Sequence, residues 1–225
     1  MKNPTFVNGE YYHIYNRGVD KRTIFGDEND LKRFFQSMKE FNTIDPIGSI
    51  YLNNLNNIRN KMLRNRIPQK EKLVEFICYC LNPNHYHFIL QQTVDKGIAK
   101  FMHKLGLGYT NYFNEKHKRN GSLCQGKYKA IHVNSNEYLL HLSAYVNLNH
   151  KIHNFKMLRN SIPQHFKSSW EEYIQNNDSK KENGHFCEKD IILSQFGSAK
   201  DYKEFAEDSL KIIKENKEIK KLLLE

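Results

Sequence analysis

Covalent cross-links and membrane segments are what this sequence has least of. Its four cysteines, Cys78, Cys80, Cys124 and Cys187, are unevenly spread over 225 residues. That is no disulfide framework, so reduced thiols are expected. No apolar run approaches the roughly 20 residues a membrane-spanning helix needs, and the opening MKNPTFVNGEYYHIYNRG has no apolar signal core. No membrane partner and a cytoplasmic location are therefore expected. Acidic residues are scarce in one part of the chain only. Residues 1–155 hold 22 Lys/Arg against 12 Asp/Glu, whereas residues 156–225 hold 13 of each, so the whole net charge of +10 lies in the first two-thirds. Such a distribution suits a phosphate-binding domain with a neutral appendage. The division expected is a domain over 1–155 and a helical extension over 156–225.

What is present is aromatic and periodic. The chain has 13 Tyr and 14 Phe. EYYHIYNR (10–17) reads as a strand ended by a turn at Gly18. A helix is predicted over 27–42, with Asp27 as N-cap and Leu31, Phe34, Phe35, Met38 and Phe41 at helical spacing. The Asn-rich, basic segment 52–72 reads as an inserted helix or loop. Within it, KMLRNRIPQ (61–69) nearly recurs as KMLRNSIPQ (156–164), one echo and not a repeat architecture. LVEFICYCL (73–81) and HYHFILQ (85–91) flank the turn Asn82-Pro83-Asn84 and form an antiparallel hairpin. A helix follows over 97–116, then a basic loop, a short strand AIHV (130–133), and a helix over 136–149 capped by Asn134 or Ser135. NNDSKKENGH (176–185) reads as a loop, and 199–224 as a charged amphipathic helix. The order strand, helix, hairpin, helix, strand, helix predicts an α+β fold: a ferredoxin-like antiparallel sheet with helices packed on it and a helical C-terminal tail.

Chemistry concentrates at His85-Tyr86-His87. Alternation along a strand puts both imidazoles on one face and Tyr86, Phe88 and Leu90 on the other, apolar one. Two imidazoles on one face suit a divalent metal. On the helix 136–149, Tyr145 and Asn149 are four residues apart and share a face. Tyr145 is a candidate nucleophile, and Asn149 a donor of a carbonyl oxygen to a metal or of a hydrogen bond to a phosphate. A metal on the His pair stabilises charge on a DNA phosphate, and a tyrosine opposite it attacks phosphorus to give a covalent phosphotyrosine.

These pieces resemble the REP-associated tyrosine transposases of the single-tyrosine HUH superfamily. The resemblance runs over roughly residues 8–160 and is carried, in order, by YYHIYNRGVDKRTIF, LNPNHYHFIL, LGLGYTNYFNEKHKRNGSLCQGKYKAIHV and NEYLLHLSAYVNLNHK. It implies an HUH fold with the His pair on the central sheet, Tyr145 as nucleophile forming a 5′-phosphotyrosine link, and His85, His87 and Asn149 as metal ligands. It implies Mg²⁺ or Mn²⁺, although imidazole ligands alone lean toward Zn²⁺ or another transition metal. It also implies cleavage and rejoining of single-stranded DNA or of hairpins formed by REP-like palindromes, by a monomer or a homodimer. One departure stands out: many relatives continue the tyrosine helix with Asn-Pro-Val, whereas here Asn149 is followed by His150 and Lys151.

The loop at 116–129 is basic, and its Gly121 and Gly126 let backbone amides approach phosphate. Lys127 and Lys129, with Asn16 and Arg17 at the end of the first strand, are the expected DNA contacts. Tyr109 and Tyr112 are the alternative nucleophiles. Two other functions fit parts of the pattern: a catalytically silent, sequence-specific DNA-binding regulator that retains the fold, and a zinc module built from Cys78, Cys80, His85 and His87. The latter lacks the usual C-x2-4-C spacing.

Overall fold

In the computed structural model the residues described are 3–62, 71–152, 166–175 and 186–222, with side chains in the last helix followed to Glu215. Strands β1 (Tyr11–Arg17), β2 (Val74–Asn82), β3 (His85–Gln92), β4 (Lys129–His132) and β5 (Lys167–Ser168) form one sheet in the order β4-β1-β3-β2-β5. Every neighbouring pair is antiparallel. Helix α1 (Glu28–Glu40) connects β1 to β2 by way of α2 (Ile50–Met62), and α3 (Gly97–Lys116) connects β3 to β4. The first four strands thus have the predicted ferredoxin-like order. The two-residue β5 extends it by pairing Cys80 with Ser168 and Leu81 with Lys167. The C-terminal extension adds α6 (Trp170–Ile174), α7 (Asp190–Leu193) and α8 (Ala199–Leu222).

Period-two alternation sorts the strands into two cores. Tyr12 and Ile14 of β1 join Tyr86, Phe88 and Leu90 of β3 under α1 and α3, packed against Phe34, Met38, Phe101 and Leu105. The opposite face carries Ile89, Cys78 and Cys80, covered by Leu142 and Val146 from the next helix and by Trp170, Tyr173 and Tyr202 from the extension. A bulge between Phe76 and Cys78 resets β2, so that Ile77 and Cys78 both face the second core. Each large apolar side chain fully buried here contributes about 1.5–3 kcal/mol.

Local signals account for the ends of the elements. The Asp27 side chain accepts a hydrogen bond from the Asp30 N–H at 2.9 Å, capping α1 as predicted. Ser135, and not Asn134, caps α4 (Asn136–Asn147) through the Tyr138 N–H. That helix ends earlier than predicted. Leu148 leaves the helical path, and Asn149 opens a separate short helix, α5 (Asn149–Ile152). Gly18 is required by close approach and not by its dihedral angles: a Cβ there would lie 2.1 Å from the Arg22 carbonyl oxygen. Buried Asp30 ties α1 to the end of α3, accepting hydrogen bonds from the Gly26 N–H (2.9 Å), Lys116 Nζ (2.7 Å) and His117 Nε2 (2.8 Å). The predicted insertion begins as α2. Its remainder from 63 to 70, the second copy of the nine-residue echo and the 176–185 loop lie outside the described residues.

Candidate active site

The second face of the sheet positions the site. Its side chains come from β1 (His13, Tyr15, Arg17), from β3 (His85, His87), from the β2–β3 turn, and from α4, which lies across them with Tyr145. In the β1–β3 register Tyr15 pairs with His87 and Arg17 with His85. The Tyr15 ring stacks on His87 at 5.6 Å and 16°, and on His13 at 4.9 Å and 29°. Tyr145 meets His87 edge-on, with ring centroids 5.5 Å apart at 88°. The paired histidines and the tyrosine, 58 residues apart in sequence numbering from His87 to Tyr145 (145 minus 87), are therefore neighbours in one chain.

His85 is held by a defined set of partners. Its Nδ1 is 2.6 Å from Asn84 Oδ1. The Asn84 amide cannot be turned around, because its Nδ2 donates to the Lys21 carbonyl at 3.1 Å. His85 Nδ1–H is thus the donor, and in the neutral ring Nε2 carries the lone pair. That nitrogen accepts from Asn82 Nδ2 at 3.0 Å and lies 3.1 Å from Asn149 Oδ1, which accepts from the same Asn82 Nδ2 at 2.8 Å. Two lone-pair atoms facing each other repel unless a cation or a proton lies between them. An imidazole nitrogen and an amide oxygen that both present lone pairs to one place are donors that would suit a divalent cation. The buried Asn149 Nδ2 has no hydrogen-bond partner among the described residues.

His87 has a different companion. Its Nδ1 is 2.9 Å from Nε2 of His13, which is 6% exposed. Burial pushes the pKa of His13 down to about 4, so this ring is neutral at pH 7 and can accept from His87 Nδ1–H. That pairing leaves His87 Nε2 as the nitrogen able to ligate a metal. An imidazole fixed through its far nitrogen is the usual arrangement behind a metal-bound histidine. Among the described residues no three His, Cys, Asp or Glu side chains converge to hold a metal. Cys78 and Cys80 therefore do not complete a zinc site with the His pair. They are buried free thiols, and burial raises both pKa values, that of Cys80 to about 12. A set completed by an amide oxygen fits better: His85, His87 and Asn149 bring two imidazoles and a carbonyl oxygen, donors suited to a divalent ion.

Tyr145 needs help to ionise. Burial raises its pKa above that of an ordinary phenol. Cations join the rings of the site in the wall of a cavity of about 650 Å³. Arg17, Lys21 and Lys129 line it together with Asn16, Asn84, Gln125 and the rings of Tyr15, His85, His87 and Tyr145, and the Lys129 ammonium lies 5.9 Å from the Tyr15 ring centroid. Arg17 Nε donates to Gln125 Oε1 at 2.6 Å, and Asn16 Nδ2 donates to the Gly126 carbonyl at 3.2 Å. Gly126, at φ +71°, takes the left-handed turn that seats this loop against β1.

The predicted residues divide accordingly. The structure brings together Tyr145, His85, His87 and Asn149, and it places Asn16, Arg17 and Lys129 on the adjoining cavity. Lys127 is exposed and does not line it. Tyr109 and Tyr112 lie on the opposite side of the sheet. The Tyr109 hydroxyl donates to the Ile24 carbonyl at 2.6 Å and that of Tyr112 to Asp30 at 3.2 Å. His13, Asn82, Asn84, Lys21 and Gln125 were not singled out from sequence. Alternation in EYYHIYNR carries a signal for His13, and the NPN turn beside the His pair one for the two asparagines.

A ferredoxin-like sheet that presents a histidine pair under a tyrosine-bearing helix is the layout expected of single-tyrosine HUH proteins. Residues 51–149 match the model of the family described as IS200-like transposases, which bears out the resemblance read from the motifs. No curated protein matches the chain. Among solved structures, similarity is found to a REP-associated tyrosine transposase bound to a REP hairpin, with 11% identity, TM-score 0.48 and coverage of 77% of this chain and 84% of that one. It is also found to the tRNA(His) guanylyltransferase of Saccharomyces cerevisiae, with 14% identity, TM-score 0.33 and coverage of 72% and 71%.

Proposed function

We propose that this chain is a transposase-like strand transferase that cleaves and rejoins single-stranded or hairpin DNA through a 5′-phosphotyrosine on Tyr145. The observation that carries the reading is the Tyr145 ring standing 5.5 Å from His87, beside a cavity lined with Arg17, Lys21 and Lys129. The cations and the Asn16 and Gln125 amides hold the DNA backbone and neutralise its charge. Tyr145 Oη attacks phosphorus and the bond to the 3′ oxygen breaks. The phenolic proton passes through water to that oxygen, leaving a free 3′ hydroxyl. The bond energy is kept in the phosphotyrosine, so a 3′ hydroxyl can attack it in reverse and reseal the strand without ATP.

His85, His87 and Asn149 would hold Mg²⁺ or Mn²⁺, which supplies Lewis-acid stabilisation of charge at the phosphate when bound. Asn84 orients His85 through Nδ1, Asn82 holds the Asn149 oxygen, and His13 keeps the His87 proton on Nδ1. Incubation with labelled single-stranded hairpin DNA and Mn²⁺ should give an adduct that survives denaturation, and Tyr145→Phe should abolish it while leaving hairpin binding intact. A wild-type protein that binds hairpins and forms no adduct over varied substrates would instead be a DNA-binding regulator. An adduct retained by Tyr145→Phe would move the nucleophile elsewhere.

A further inference from the structure

A second cavity, of about 470 Å³, lies on the same face of the sheet. It shares Tyr15, His87 and Tyr145 with the basic cavity, so these three side chains stand between the two. Its remaining wall has a different chemistry. Ile131 of β4, Leu142 of α4 and Ile213 of α8 supply apolar surface, Tyr138 supplies an aromatic ring and a hydroxyl, and His141 an imidazole. No Lys, Arg, Asp or Glu is among the residues that line it. Ile131 is 38% exposed beside this space. The trough therefore has a cationic, amide-rich end and an uncharged, aromatic–aliphatic end, which meet at the proposed nucleophile.

A nucleotide has the same division of character: a charged phosphate on one side of the sugar and a flat, largely apolar base on the other. We propose that the uncharged cavity takes one unpaired nucleobase next to the phosphate that faces Tyr145, between α4 and β4. This rests on the reading of the site as a DNA strand transferase and adds what the strand must offer there. A base inside a duplex has both faces stacked and cannot enter, so the cavity selects a nucleotide that is single-stranded or extruded. The ring of Tyr138 offers stacking surface, which tolerates any base. The Tyr138 hydroxyl and His141 offer polar groups to its edge, although the His141 Nδ1 already lies 3.1 Å from Ser209 Oγ.

The test uses the full chain with two probes of equal length and charge: a deoxythymidine dodecamer and a dodecamer of abasic tetrahydrofuran residues. The thymidine strand should bind about tenfold more tightly, in line with the worth of a stacked base. It should also shift the methyl resonances of Ile131, Leu142 and Ile213, which the abasic strand should leave in place. Tyr138→Ala and Ile213→Ala, checked for folding by their melting curves, should bring the ratio of the two affinities close to one. Equal binding of the two strands by the wild type, with unmoved methyl resonances, overturns the nucleobase site alone. Failure to bind either strand overturns the proposed function with it.

Discussion

On one face of the sheet Tyr12, Ile14, Phe76 and Phe88 are sealed beneath α1 and α3. On the other, one residue away along the same strands, His13, Tyr15, His85 and His87 lie beneath α4 and border two cavities. Both faces are rich in rings, but the rings do different work. In the first core Tyr109 meets Phe34 edge-on and Phe76 meets Phe88 edge-on, and the polar outlet of these four rings is the Tyr109 hydroxyl, donated to a carbonyl. On the second face the ring nitrogens are the polar outlets. They are paired with each other or with the Asn82, Asn84 and Asn149 amides, an arrangement that directs lone pairs to one place. Alternation lets a single strand supply stability to one side and chemistry to the other.

Substitutions at neighbouring positions of β3 should separate these roles. Phe88→Ala should cost about 3–5 kcal/mol in denaturant unfolding, with adduct formation per folded molecule retained. If adduct formation fell further than stability explains, the two faces would not be independent. His87→Ala should lower adduct formation by at least about a hundredfold, as loss of a group that holds the metal and meets the nucleophile. Its stability should drop by no more than about 1–2 kcal/mol, the cost of leaving the buried His13 without its partner. The reverse pattern would make His87 a core residue. His13→Phe should weaken Mn²⁺ binding in calorimetric titration about tenfold, and His13→Gln, which keeps an acceptor, should restore most of it. Equal affinities in all three proteins would remove His13 from the site. Smallest of all, Lys129→Ala should weaken hairpin binding only a few-fold and reduce the slope of log affinity on log salt by about 1. Lys127→Ala, outside the cavity, tests whether a neighbouring exposed cation also contacts the strand: the same fall in slope would place it on the DNA, and an unchanged slope would take it off.

Much of the fold was legible because its signals are local. The limits of α3, the Asp27 cap and the hairpin around Asn82-Pro83-Asn84 follow from apolar spacing and turn chemistry within a few residues. Where prediction and structure part, the deciding contact is distant. Helix α4 was expected to run to Asn149, but it ends at Asn147, and Asn149 opens α5 with its side-chain oxygen held by Asn82, 67 residues earlier. Strand β5 has two residues and no period to detect. It exists because the Tyr79–Leu81 edge of β2 is available to pair. The extension was expected to be helical, and its helices are present. That Trp170, Tyr173 and Tyr202 complete the second core was not visible in their spacing.

Sequence alone determined that two imidazoles share a strand face, that Tyr145 sits on a helix, and that the positive charge belongs to the first two-thirds of the chain. These follow from a strand repeat of two, a helix repeat of 3.6 and a count of charges. Tertiary structure decided that His13 backs His87 across 74 residues, that Asn82 joins His85 to Asn149, and that Lys21 and Gln125 reach the cavity while Lys127 does not. Such pairings depend on strand register and on how a helix crosses a sheet. Both are set by the packing of the whole core, so no stretch of neighbouring residues carries them.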